Sequence, residues 1–135
     1  MGEIAKLQGY FDNAIAYFKK AFEIRVNAKH WHKAAETLVR WGETLEAQGN
    51  QVEALSKYIQ VFAIDIKHNH DEIGFQAWIN SDIKNLGRML KVLGERQFEV
   101  VWREVTSEEC EENLRSAIQA ASEENEECYG SSIKY

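Results

Sequence analysis

Residues 38–62, LVRWGETLEAQGNQVEALSKYIQVF, decide the fold, because they keep Gly42 and Gly49 seven residues apart in otherwise strong helix-forming sequence. A glycine inside a helix costs about 1 kcal/mol relative to alanine, so two glycines here need a structural reason. We expect Gly42 to lie where a second helix packs closely against the first. We expect Gly49 to end the first helix in a left-handed conformation. The segment is therefore predicted to be a helical hairpin.

The same two-glycine spacing recurs on both sides of this segment. Gly2 and Gly9 lie 40 residues before the pair, and Gly87 and Gly94 lie 45 residues after it. Other positions keep these offsets: Ala14 with Ala54, Phe18 with Tyr58, Phe22 with Phe62, Leu38 with Ile83, Trp41 with Leu86, and Leu45 with Leu90. The small side chains of Ala14 and Ala54 would admit the facing helix. Three copies in phase predict a repeated array of paired helices. In the third copy we expect Gly87 to lie against the second helix of its pair, as Gly42 does, and Gly94 to end the first helix in a left-handed conformation, as Gly49 does.

The rest of the sequence also favours an all-α protein. The chain of 135 residues contains no proline, which permits long uninterrupted helices. Apolar residues at i, i+3 and i+7 predict helices near 11–27, 31–48, 51–67, 73–93 and 96–104, with a partial helix at 2–8. In the third copy Glu99 occupies the place of the small alanine, so we expect the array to end there.

A last helix is predicted to cap the array. The capping box Thr106-x-x-Glu109 marks its start, and Leu114, Ala117, Ile118 and Ala121 fall on one of its faces. Residues 1–122 would then form one domain of about two and a half repeats plus this capping helix. Residues 123–135 are acidic and have little apolar content, so we expect a disordered tail.

Charge and composition exclude several classes of function. The net charge of −6 comes from the segment after residue 105, where eight glutamates face two basic residues. The rest of the chain is neutral, and phosphate binding requires a basic face, so nucleic acid is not expected as a partner. No apolar run is long enough to cross a membrane, and the N-terminus lacks the features of a secretory signal, so we predict a cytoplasmic protein. The two cysteines, Cys110 and Cys128, are expected to be unpaired and non-catalytic.

The repeat resembles the tetratricopeptide family, whose motif is W-x2-L-G-x2-Y followed by A-x3-F. The second copy supplies Leu38-x2-Trp41-Gly42-x2-Leu45 with Ala54-x3-Tyr58, and the third supplies Ile83-x2-Leu86-Gly87-x2-Leu90. The period of 40 to 45 residues and the missing proline depart from the family pattern. The resemblance implies a superhelical solenoid of antiparallel helix hairpins. Because the first copy lacks its first helix, we expect the chain to be a piece of a longer array.

The resemblance also implies a concave groove that receives a partner peptide. Carried over by position, its lining residues are Val39, Arg40, Glu43 and Glu46 or Ala47 in the second copy, and Lys84, Asn85, Arg88 and Lys91 or Val92 in the third. Lys84, Arg88 and Lys91 form a basic stripe at i, i+4 and i+7. This stripe is read either as a docking site for an acidic segment or as a solvated helix face.

These features predict a non-catalytic protein–protein interaction module without a cofactor. An unfinished end of such an array exposes apolar surface and allows pairing with a second copy. One alternative is a sensor or autoinhibitory segment of a larger STAND-type signalling protein. Another alternative is a metal-binding or enzymatic role for His68 and His70, which lie with Asp71 and Glu72 in a predicted loop. The four tryptophans are expected to pack in the core, with Trp78 the most exposed of them.

Overall fold

The described part of the protein is all-helical, as predicted. The structure is a computed structural model that describes the backbone of residues 2–134 and the side chains of residues 7–123. Its helices are α1 (Gly2–Asn27), α2 (Trp31–Gln48), α3 (Gln51–His68), α4 (Phe75–Leu93), α5 (Glu95–Thr106) and α6 (Glu112–Lys134). The hairpin predicted over residues 38–62 is formed by α2 and α3.

Two of the repeated glycines end helices with a positive φ. Gly49 follows α2 with φ +90° and ψ +7°, and the N–H groups of Gly49 and Asn50 donate to the last carbonyls of α2. Gly94 separates α4 from α5 with φ +86° and ψ +162°, a conformation open almost only to glycine. The left-handed end predicted for Gly94 is therefore wrong in ψ, because α5 begins at the next residue and the backbone must change direction.

The helix break predicted at Gly9 is wrong. α1 is continuous from Gly2 to Asn27, so residues 2–8 are not a separate element. A Cβ on Gly9 would meet nothing within 4 Å, so no neighbour requires a glycine there. Phe22 of α1 packs onto a small hydrophobic cluster of Ala35, Leu38 and Val61, and such packing outweighs the cost of one helical glycine. Gly2 belongs to the terminal residues whose surroundings lie outside the described part.

The close helix approach predicted at Gly42 is present. A Cβ on Gly42 would lie 2.8 Å from Cε1 of Tyr58, so the ring of this α3 residue fills the space that a side chain would need. Ala54, on the same helix, is fully buried.

Gly87 also lies under a neighbouring helix, but that helix is α6 rather than the predicted α5. A Cβ on Gly87 would lie 2.9 Å from the backbone nitrogen of Ser122 and 3.1 Å from Cβ of Ala121. α5 carries Glu99 where a small residue would be needed, whereas α6 offers Ala121. In the third copy of the repeat, the closely packed helices are therefore α4 and α6.

The helices α1, α2, α3, α4 and α6 pack successively, each against the next, while α5 lies against α3 and α4. The main hydrophobic core is shared by α2 to α6 and includes Leu45, Leu55, Tyr58, Ile59, Leu86, Met89, Phe98, Trp102 and Ile118. A smaller cluster of Ala35, Leu38 and Val61 receives Phe22 from α1. This packing fixes α2, α3 and α4 relative to one another.

The predicted capping box of the last helix does not form. Thr106 is the final residue of α5, and its hydroxyl donates to the carbonyl of Trp102 and accepts from the N–H of Glu108. α6 begins at Glu112, after Ser107 has turned the chain with φ +62°. Leu114, Ala117, Ile118 and Ala121 are buried or half-buried on α6, as their spacing predicted. The backbone of α6 continues to Lys134, but the side chains from residue 124 onward lie outside the described part, so a disordered tail stays a prediction.

Candidate functional site

A groove runs between α2 and α4, with residues of α3 at its base. Its two walls run in the same direction, because His32 stacks on Trp78 near the start of each helix and Glu46 pairs with Arg88 near the end. Two neighbouring depressions of about 370 and 430 Å³ lie between the two helices, and a third of about 480 Å³ adjoins them and is lined by α4 residues alone. Asn85 lines all three of them, so they are continuous along α4.

All eight residues predicted to line a groove border one of the three depressions, but Lys84 and Lys91 border only the one that is lined by α4 alone. From α2 these are Val39, Arg40, Glu43 and Glu46, and from α4 they are Lys84, Asn85, Arg88 and Lys91. The alternatives Ala47 and Val92 are exposed and line none of the three depressions. Binding of a partner by the eight residues stays a prediction.

A network around Glu46 joins the two walls near the end of α2. The Nη2 atom of Arg88 lies 2.6 Å from Oε1 of Glu46, and the Tyr58 hydroxyl donates to the same oxygen. Arg88 also donates to Oδ1 of Asn85 at 2.8 Å. Burial, followed by the hydrogen bond and the charge of Glu46, raises the pKa of Tyr58 far above its usual range. Arg88 is therefore held by the protein itself and is half-buried, whereas Lys84 and Lys91 are exposed.

The end of the groove near the start of α4 contains two buried aspartates. Asp65 of α3 and Asp82 of α4 are 2% and 5% exposed, and both line the 370 Å³ depression. Asn69 donates to Oδ1 of Asp65 at 2.8 Å. Oδ2 of Asp82 has no hydrogen-bond partner among the described residues. Burial is the main reason that the pKa of Asp82 is raised, and the hydrogen bond and charge of Asp65 raise it further.

Sequence reasoning missed this acidic end of the groove. A signal was present, because Asp65 continues the spacing of the buried residues Tyr58 and Val61, and Asp82 lies between the buried residues Ile79 and Leu86. A carboxylate within a buried apolar stripe is rare unless it has a partner. The sequence could not show that the two aspartates meet, because they come from different helices.

One aromatic pair lines this end of the groove, and a second lines a separate depression next to it. The imidazole of His32 stacks on the indole of Trp78 at 3.8 Å, and that of His68 stacks on Trp31 at 3.6 Å. Trp78 is half-buried, in the same class as Trp31 and Trp41, while Trp102 is buried in the core. The core packing predicted for the tryptophans is thus complete only for Trp102.

The proposed metal ligands His68 and His70 are engaged separately. His68 stacks on Trp31, and Nε2 of His70 lies 3.4 Å from Oδ2 of Asp71. Partial desolvation and the nearby Lys67 and His70 lower the pKa of His68. Across residues 7–123, no group of three or more histidine, cysteine, aspartate or glutamate side chains could hold a metal ion.

Two further features lie away from the groove. Cys110 is buried and free, and burial, with a smaller effect of Glu111, raises the pKa of its thiol to about 11. Cys128 lies outside the described side chains. A cavity of about 290 Å³ lies between α5 and α6, where Arg115 pairs with Glu99. Within this cavity Arg115 and Glu99 thus neutralise each other.

Comparison with known proteins identified no relative. No family model matches the chain, and neither the curated proteins nor the solved structures contain a match. The tetratricopeptide resemblance therefore stays a prediction. In the described part of the chain, no helix combines the length and the apolar character needed to cross a membrane.

Proposed function

We propose that this chain is a non-catalytic protein–protein interaction module that holds a peptide or helix of a partner in the groove between α2 and α4. The observation that carries this proposal is the continuity of the groove, in which parallel helices supply both walls of the first two sections and Asn85 borders every section. In this proposal α2 and α3 form one tetratricopeptide-like hairpin, and α6 caps the array. The close packing of Tyr58 on Gly42 supports that hairpin geometry.

The length of the groove suits a short segment. Trp78 and Lys91 lie about 20 Å apart along α4, since each helical residue rises 1.5 Å. An extended peptide would cover this distance with about six residues. Lys84 and Lys91 favour an acidic residue of the partner at the far end, close to the ion pair between Arg88 and Glu46. Action in the cytoplasm belongs to the same proposal, supported by the free thiol of Cys110.

The proposal is tested by blocking the groove at Asn85. Peptides selected from a random display library against the wild-type protein are measured against Asn85→Tyr and against Asn80→Tyr. Asn80 lies on the same helix but is exposed and lines none of the groove depressions, so it is the matched control. We expect Asn85→Tyr to weaken binding at least tenfold, because the added ring fills the section shared by all three depressions. Asn80→Tyr should bind as the wild type does.

Equal binding by both variants would overturn the proposal, as would a selection that yields no binding peptide at all. The thermal midpoints of both variants are measured alongside, so that a loss of binding is not mistaken for a loss of the fold.

A further inference from the structure

The two aspartates at the start of the groove have no cationic partner among the described residues of the protein. Asp65 receives a hydrogen bond from Asn69, but Oδ2 of Asp82, a residue that lines the 370 Å³ depression, is buried without a donor among the described residues. No ion pair in the described part of the chain joins a cation to either aspartate. A buried carboxyl group without a donor costs stability. A ligand that supplies the missing donor and charge would remove that cost.

Arg40 lines the same depression, but the described structure pairs no donor and no cation with the free oxygen of Asp82. We infer that this end of the groove is a pocket for the cationic side chain of an arginine or lysine in the partner segment, which binds between Asp65 and Asp82. The inference rests on the proposed function, because the partner segment must lie in the groove.

The walls of the pocket fit such a side chain. Val39 and Trp78 line the depression beside the two aspartates and can contact the aliphatic stem. The depression of about 370 Å³ is at the small end of ligand sites, which run from about 300 to 1,000 Å³. A planar guanidinium can donate to two carboxylates at once. A metal ion is disfavoured, because the described side chains offer no set of three ligands.

The cation would take the place of a proton. Because the pKa of Asp82 is raised, its carboxyl group keeps a proton at neutral pH while the pocket is empty. A bound cation stabilises the carboxylate, so the proton passes to the buffer and charge is balanced. The titratable groups that face the pocket are His32, Glu36, Arg40 and Glu43 from α2, Asp65 from α3, and Asp82 itself from α4.

The test uses N-acetyl-arginine methylamide as the probe and its citrulline analogue as the neutral control. Citrulline keeps the shape of arginine but lacks its charge. On the full chain, NMR follows the side-chain amide of Asn69 and the indole N–H of Trp78 during titration with each compound. We expect saturable shifts with the arginine compound only. Asp82→Asn should weaken binding at least tenfold, because it removes the charge while keeping the shape.

Asp71→Asn is the matched control, since Asp71 is 94% exposed and lies outside the pocket. It should bind the arginine compound as the wild type does. Equal shifts with the citrulline compound, or unchanged binding by Asp82→Asn, would overturn the inference. The spectra also report whether each variant is folded.

Selected peptides separate this inference from the proposed function. Loss of their binding in Asn85→Tyr supports the groove. The pocket is supported when these peptides also carry an arginine or lysine and binding weakens tenfold on replacing that residue in the peptide. The same loss on introducing Asp82→Asn in the protein would also support it. It is refuted when the peptides depend on the groove but not on a basic residue. Calorimetry in two buffers of different ionisation enthalpy should show proton release on binding to the wild type and none on binding to Asp82→Asn.

Discussion

Asp82 illustrates at the scale of one residue how a binding feature can lower stability. Its folded-state pKa is raised, first by burial and then by Asp65, whereas an unfolded aspartate has its ordinary pKa near 4. Below about pH 4 both states hold the proton, and Asp82 costs nothing. As pH rises further, only the unfolded state releases it, so the free energy of unfolding falls. Replacing Asp82 by asparagine removes this loss.

We therefore expect Asp82→Asn to match the wild type near pH 4 and to be more stable at pH 7 by about 4 kcal/mol, since the wild type loses about 1.4 kcal/mol per pH unit over this range. Denaturant unfolding at several pH values measures the difference between the two proteins. Asp71→Asn, at an exposed position, should show no such trend. A difference that shrinks as pH rises would contradict the assignment of the raised pKa to Asp82.

The roles of some residues could be predicted from the sequence, and those of others could not. Gly42 was predictable, because a glycine kept within one helical pattern implies a close neighbour, and Tyr58 occupies that place. Gly9 repeats the same spacing without any neighbour within 4 Å, so the spacing alone is not sufficient. The meeting of Asp65 and Asp82 depends on how two helices face each other. No local pattern carries that information.

At the scale of elements, the boundaries of α2, α3 and α4 were predictable because glycines and apolar spacing act locally. The partner of α4 was not, because α5 and α6 compete for the same face and the outcome depends on which can approach Gly87. Ala121 permits the approach of α6, and a Cβ on Gly87 would press on the backbone of Ser122 and on the carbonyl oxygen of Ile118. The groove walls could be predicted from α2 and α4 alone, without knowledge of this pairing.

This pairing predicts the effect of Gly87→Ala. The added methyl group must displace backbone atoms of α6, so we expect a loss of about 1–3 kcal/mol. Hydrogen exchange should become faster at Ile118 and Ala121, while the buried part of α5 around Val101 keeps its protection. Gly9→Ala is the control, because it adds the same methyl group where nothing lies within 4 Å. Faster exchange in α5 alone would instead support the pairing expected from the repeat.

At the scale of the whole molecule, α1 forms one edge of the packed helices and leaves an apolar stripe uncovered. Leu7, Tyr10, Tyr17 and Ile24 are 55–66% exposed. With Ala14 and Ala21 between them, they are spaced alternately by three and four residues, as in the seam of a coiled coil. The alanines permit two helices to approach closely. Because the stripe is apolar along its length and can pair with an identical stripe, we expect it to associate with α1 of a second copy.

Placing a charge in this stripe should separate such a dimer. We expect the wild-type protein to sediment as a concentration-dependent dimer and the double variant Tyr17→Glu, Ile24→Glu to sediment as a monomer with its helical content retained, since both side chains are exposed. Ile73→Glu is the matched control, because Ile73 is fully exposed in the connection between α3 and α4, far from the stripe in sequence. It should leave the dimer unchanged. A wild-type protein that stays monomeric at the concentrations used for NMR would rule out this pairing. That result would leave the proposal for the groove between α2 and α4 unchanged, because α1 supplies none of the residues that line it.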